Sequence, residues 1–221
     1  MYLPQIVQEV GTRGRVIGLD YDEPNMEIVH RVHDLEAAVG SVTCLPFAAG
    51  CFDALWCANV VQYFDDEQLL ACIDEFKRVV VHGGVIAIKD VDMTGARFLP
   101  ADPFLLSHLS EVSLRMPSAP PETRGSLRGR ELKNALEAAG LSDVRQRSVL
   151  IERPAPLRPV EREFYAEWIT YLAEIAEERG VPDEDLAAWR SMVGEDGGRS
   201  FVSRPDFYAC ELQVVAVGTV K

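Results

Sequence analysis

The sequence predicts an α/β fold, with a Rossmann-like, mostly parallel sheet, an antiparallel last strand and helical insertions. Three observations carry that prediction. Short apolar runs alternate with stretches of helical period between Gly14 and Asp90, the rhythm of β-α-β units. The first of those runs, Arg15 to Asp20, is β-branched and apolar, as a strand buried in a parallel sheet must be. The chain has 221 residues, 48% of them hydrophobic and 26% charged, which suits one globular domain with room for an insertion.

The elements follow in order. Leu3 to Val10 reads as the last turns of a helix, stopped at Gly11 or Gly14. After the strand ending at Asp20, Pro24 to Val32 is a short helix carrying Met26, Ile28 and Val29, and Leu35 to Val42 is a further strand. Leu45-Pro46-Phe47 and Ala48-Ala49-Gly50 form a loop before a buried strand over Phe52 to Val60. Glu67 to Val80 is a helix, because Leu69, Ile73, Phe76 and Val80 fall on one face. Gly83-Gly84 stop it, and Val85 to Lys89 form a strand that ends at Asp90. Beyond Asp90 the rhythm changes. Ala101 to Arg115 is helical, 117–125 is a loop, Arg130 to Ala139 is a helix ended by Gly140, and Val144 to Glu152 is a strand. Glu161 to Glu178 and Asp183 to Val193 are helices, and Phe207 to Val217 is the closing strand. Residues 1–221 are therefore expected to form a single domain, with helical caps inserted at about 93–125 and 158–200.

Charge and cysteine usage exclude some function classes. A net charge of -13 would repel the phosphates of nucleic acids and of anionic membranes, so neither is an expected partner. The five cysteines are odd in number and show no C-x-x-C spacing, which reads as reduced thiols in a cytoplasmic protein. No apolar run reaches the ~18 residues of a membrane span. His30 and His33 are spaced for a metal, but no third ligand completes a site, so exposed helix histidines are the simpler reading and no metal is expected.

The stretch from Gly40 to Asp90 is the most specific. Leu45-Pro46-Phe47, Phe52-Asp53, Glu75-Phe76-Lys77-Arg78-Val79 and Gly83-Gly84 stand in order, with Gly18-Leu19-Asp20 upstream. This set resembles the class I S-adenosylmethionine-dependent methyltransferases, in particular the small-molecule group related to the quinone-biosynthesis enzymes, over roughly residues 5 to 90. A weaker likeness covers Glu131 to Val144. An acid after a strand also suits a nicotinamide-dependent dehydrogenase, but the Leu-Pro-Phe and Phe-Asp block argues against that reading.

The resemblance implies S-adenosylmethionine as cofactor and a small, partly apolar methyl acceptor as partner, and it is compatible with a homodimer. It assigns Asp20 to the ribose hydroxyls, since a carboxylate can accept two hydrogen bonds from a vicinal diol. Tyr21 and Met26 are expected against the adenosine, and Ser41 and Val42 along the adenine pocket. Ser41 departs from the acid usual at its position. Asn59 and Val60 end the strand beside which a ligand crevice opens, so they are expected at the methionine end, with Gln62 and Tyr63 at the same edge. Asp53, at the other end of that strand, is structural. No catalytic residue is assigned. His108, Asp90, Asp92 and Tyr165 are acid-base candidates, each of which also suits capping or surface roles. The stripe Phe164, Trp168, Leu172, Ile175 is packing first and an apolar lid second, and the acidic run 174–178 is a solvated helix face.

The largest departure is a missing piece. In the family a first strand and its glycine-rich loop lie mid-sheet, between the strands that here end at Asp20 and Val60. A β-α-β unit takes ~30 residues or more, and fewer than half that number precede Gly14. Either this sequence starts late, or the two flanking strands pair directly and the cofactor is not bound in the usual way. The function expected is methyl transfer; the alternative is a non-catalytic, methyltransferase-like module acting through protein contacts.

Overall fold

The structure, a computed structural model, describes residues 2–33, 35–117 and 120–221, with the side chains of 32, 33 and 122 outside that description. It is α/β. Helix α1 (Leu3–Val10) leads into strand β1 (Ile17–Asp20), helix α2 (Glu23–His33) and strand β2 (Glu36–Val39). Strand β3 (Phe52–Ala58), helix α3 (Asp66–Val79) and strand β4 (Val80–Leu99) follow. Then come α4 (Leu105–Arg115), α5 (Pro121–Gly125), α6 (Leu132–Ala138) and β5 (Ser142–Pro154). The chain ends with α7 (Pro159–Arg179), α8 (Asp183–Val193), α9 (Arg199–Val202) and β6 (Tyr208–Thr219).

Helix α3 shows how local chemistry sets an element. Asp65 caps it by accepting from the Gln68 N–H, and Gln68 returns the bond to the Asp65 backbone. Asp66 and Glu67 lie in the first turn, Lys77 and Arg78 in the last, in the sense the helix dipole favours. Leu69, Cys72, Ile73, Phe76 and Val79 form its buried face. They pack on Ile86 and Ile88 of β4 and on Leu132 and Leu136 of α6, one of two apolar cores. The second core joins Phe98 and Phe207 to Leu105, Tyr165, Ile169 and Trp189, seating α4, α7 and α8 on the far part of the sheet.

The strands form two sheets. One has β1 beside β2, in parallel; the other has the order β3-β4-β6-β5. Strand β3 runs parallel to β4, while β6 runs antiparallel to both β4 and β5, so the last strand is the reversed one, as expected. Among the described residues β1 pairs only with β2 and β3 only with β4, so the two flanking strands do not pair with each other. An apolar cavity of about 550 Å³ lies between them, walled by Ile17 and Leu19 of β1, Leu55 and Cys57 of β3, and Leu3 and Ile6 of α1.

Two expectations need correction. Strand β4 does not stop at Asp90; it continues to Leu99, because Arg97, Phe98 and Leu99 pair with Cys210, Ala209 and Tyr208 of β6. Residues 93–99 are therefore strand, and the first helical insertion begins only afterwards. In the expected loop 117–125, residues 118 and 119 lie outside the described residues and Pro121–Gly125 is a short helix.

Candidate functional site

The carboxyl ends of β1 and β3, with Lys89 and Asp90 in the middle of β4, carry the candidate site. At the end of β1, Asp20 is half-buried, and its Oδ1 accepts the Asp22 N–H at 3.0 Å, which leaves Oδ2 for another donor. Its backbone carbonyl accepts the Gly40 N–H at 2.9 Å, tying the end of β1 to the segment leaving β2. Asp20 shares the cavity wall with Met26, Val42, Leu45 and Val60, so one carboxylate stands at the edge of an apolar slot. Met26 is 7% exposed. Gly40 faces Pro46, whose Cδ would lie 3.1 Å from a Cβ, so a small residue lets the loop close down.

Two expected adenosine contacts are placed elsewhere. Tyr21 is 85% exposed and is not part of the cavity wall. Ser41 is exposed, and its Oγ meets Thr43 Oγ1 at 2.8 Å and accepts the Thr43 N–H. Met26, Val42 and Leu45 supply the wall there, and Tyr21 and Ser41 are not part of it.

The loop after β2 is held by α3. Glu75 Oε1 accepts the Leu45 N–H at 2.8 Å. Arg78 donates to the carbonyls of Leu45 at 3.0 Å and Phe47 at 2.8 Å, and grips Glu75 through Nε and Nη2. Through those bonds Arg78 holds the Glu75 carboxyl below its usual range. The sequence pair thus fixes the loop that presents Leu45 to the cavity. Arg78→Ala removes two bonds to that loop, each worth about 1 kcal/mol. Faster limited proteolysis between residues 43 and 50 is expected, with unfolding stability lower by about 1–2 kcal/mol in urea; an unchanged cleavage rate would show that the pair does not anchor the loop.

The second loop, 59–63, leaves β3. Asn59 takes a left-handed φ of 58°, tolerated by Asn because its short polar side chain bonds locally. Its backbone N–H donates to the Lys89 carbonyl at 3.0 Å, and its side-chain oxygen accepts from Lys89 Nζ. Lys89 is 3% exposed, lies under the Tyr2 ring at 5.9 Å, and has its pKa lowered by burial. Asn59 is thus tied to the sheet, while Val60 reaches the cavity.

Asp90 is fully buried. Its Oδ2 accepts the Gln62 N–H at 2.9 Å and its Oδ1 the Val91 N–H at 2.8 Å. Burial pushes its carboxyl up to about 6, against the opposing pull of those two N–H groups, Lys89 and Arg128. Both oxygens are engaged with backbone, so Asp90 acts on the shape of the loop.

The other acid-base candidates are spread over different elements. His108 on α4 lies 3.1 Å from the Asp185 carboxylate of α8, joining the two insertions. Tyr165 on α7 donates to Glu211 at 2.6 Å, and burial pushes its phenol up. Asp92 accepts from Arg130 Nε at 2.6 Å and from Thr94. His30 has its Nδ1 3.1 Å from the Leu35 carbonyl, and the side chain of His33 lies outside the described residues. Among the described residues no three His, Cys, Asp or Glu converge as metal ligands. Among the described residues no helix is long and apolar enough to cross a membrane.

Sequence reasoning missed Lys89 and Arg128. The only signal for Lys89 was a cation closing an apolar strand; Arg128 gave none, since its burial depends on a distant loop.

Comparison with known proteins bears on this arrangement. Residues 2–88 match the family described as "Methyltransferase domain". Among solved structures, the YcgJ protein of Bacillus subtilis superposes with a TM-score of 0.51 at 16% identity, over 94% of this chain and 83% of that one. A SAM-dependent methyltransferase from Aquifex aeolicus gives 0.44 at 21% identity, over 67% of this chain and 69% of that one. Phosphoethanolamine N-methyltransferase 2 of Haemonchus contortus, in complex with S-adenosyl-L-methionine, gives 0.49 at 15% identity, over 99% of this chain and 46% of that one. No curated protein matches the sequence. The Bacillus subtilis likeness shows the same fold; the family match covers the β1, β2 and β3 region that builds the slot.

Proposed function

We propose, with residues 2–88 as a methyltransferase domain, that this protein moves the methyl group of S-adenosylmethionine to a small, partly apolar organic acceptor. The observation that carries the reading is the end of β1: the half-buried Asp20 carboxylate, whose Oδ2 has no partner among the described residues, stands beside Met26, Val42 and Leu45 where the gap between β1 and β3 opens at the strand ends. That pairing of a diol acceptor with an apolar cleft fits an adenosine. Val60 and the 59–63 loop would then meet the methionine end, at the carboxyl edge of β3.

The bound donor supplies a methyl group already activated on a sulfonium, so the chain's own work is positioning and exclusion of water. Asp20 orients the ribose. Glu75 and Arg78 keep the adenine wall closed. The acceptor side is assigned to the two helical caps, α4–α5 and α7–α9. His108 and Tyr165 are held in pairs there and would move a proton only after leaving their partners. No base is needed for an acceptor that attacks through a lone pair without first losing a proton.

A second reading has one observation behind it. The unpaired edges of β1 and β3 flank the slot, which suits a non-catalytic module whose cofactor cleft has become a protein-binding one. Calorimetric titration with S-adenosylmethionine separates the two. Saturable binding is expected, weakened at least tenfold in Asp20→Ala, as for loss of a hydrogen bond to a charged group worth about 1.5–3 kcal/mol. Absence of heat with folded protein would favour the module; equal affinity in the variant would remove Asp20 from the site.

A further inference from the structure

Residues 124–129, which lead out of the first helical cap, press on the back of the loop assigned to the methionine end of the donor. Contacts from four of its residues define the approach. Gly125 lies so close that a Cβ there would be 1.6 Å from the Gln62 carbonyl oxygen. Arg128 is 3% exposed; its Nη1 donates to the Asp65 carbonyl at 3.2 Å, and its Nη2 is 3.2 Å from Asp66 Oδ1. The Met93 N–H donates to the Ser126 carbonyl at 2.9 Å. At Gly129 a Cβ would come within 2.7 Å of the Val91 carbonyl, so this end of the segment lies flat on β4. From the sheet side, Asp90 holds the same Gln62 by its N–H. Gln62 is thus held at its N–H by a carboxylate and packed at its carbonyl against the Gly125 backbone.

We propose that Gly125 and Arg128 are positioning residues that set the 59–65 loop against the methionine end of the donor, and so couple the acceptor cap to the donor site. The inference rests on the methyltransferase reading given above. Neither residue lines the slot, and the adenosine half of the slot is built from β1, α2 and residues 42–45. A fault in the strap therefore reaches the loop and leaves the Asp20 side alone. Glycine is required at 125 because any side chain collides with backbone, which cannot swing away as a flexible side chain can. The buried Arg128 is required because its guanidinium donates from Nη1 to the Asp65 carbonyl while Nη2 pairs in charge with Asp66, two separate points that the single ammonium of a lysine does not cover.

The test compares two probes on the full chain, S-adenosylmethionine and adenosine, by calorimetric titration. In Gly125→Ala and in Arg128→Met, affinity for S-adenosylmethionine is expected to fall about tenfold, with adenosine affinity unchanged within about twofold. Arg128→Lys is expected to recover less than half of that loss. Should Gly125→Ala fail to fold, the two Arg128 variants decide the matter. Equal losses for both probes would mean general damage to the fold and overturn the proposal, as would unchanged affinity for S-adenosylmethionine. If the wild-type chain binds neither probe, the methyltransferase reading fails first and this inference falls with it.

Discussion

Trp189→Ala is expected to cost about 3–5 kcal/mol, the range for removing a large aromatic from a core. Trp189 is 0% exposed, and its indole N–H has no hydrogen-bond partner among the described residues, so the cost comes from packing and no hydrogen bond there is lost. A loss of that size rivals the ~5–15 kcal/mol of a whole domain. Its distribution matters more than its total. Trp189 belongs to the core that seats α4, α7 and α8, while Phe76 and Ile73 belong to the core around α3 and the parallel strands. Amide exchange in Trp189→Ala should therefore rise most in α4, α7 and α8, with α3 and β3 keeping more of their protection. Urea unfolding gives the total. A uniform rise in exchange over both cores would show that they open as one unit, and would count against treating the caps as a separate acceptor-side layer.

Much of this fold was legible because its signals are local. The face of α3 follows from Leu69, Ile73 and Phe76; both ends moved by one residue, from Glu67 to Asp66 and from Val80 to Val79, and Gly83-Gly84, read as its stop, lie inside β4. Strand β4 was cut short in the reading because nothing between Met93 and Leu99 announces a strand; it extends because β6, more than a hundred residues away, supplies partners past a register shift between Asp92 and Arg97. The site divides the same way. Asp20 could be read from its place after a short apolar run, and the Glu75–Arg78 pair from its motif. Lys89 under Tyr2, Gln62 on Asp90 and Arg128 on Asp65 are meetings of distant segments, with no spacing to reveal them. The outward turn of Tyr21 and Ser41 was not legible for a related cause: adjacency to Asp20 and Val42 says nothing about which way a side chain turns.

The buried Asp90 makes the stability of the chain depend on pH in a direction opposite to that of most carboxylates. Its folded value of about 6 stands above the ordinary 3.8, raised first by burial. The folded state therefore holds its proton more tightly than the unfolded chain does. The contribution from Asp90 is fully present below about pH 4 and is lost as pH rises through about 6. A shift of about two units corresponds to about 3 kcal/mol. Asp90→Asn carries no charge at any pH and trades one acceptor oxygen for an amide, a cost that does not change with pH. The difference in unfolding free energy between wild type and Asp90→Asn should thus be about 3 kcal/mol more favourable to wild type at pH 4 than at pH 7.5, by urea titration at both. Subtracting the variant cancels every other titrating pair. A difference that does not vary with pH would show that Lys89, Arg128 and the two N–H groups fully offset the burial. The slope also bears on the loop: above pH 6 the ionised carboxylate binds the Gln62 N–H more strongly even as it weakens the whole. The protein then trades overall stability at neutral pH for a firmer grip on the loop that the methyl donor would meet.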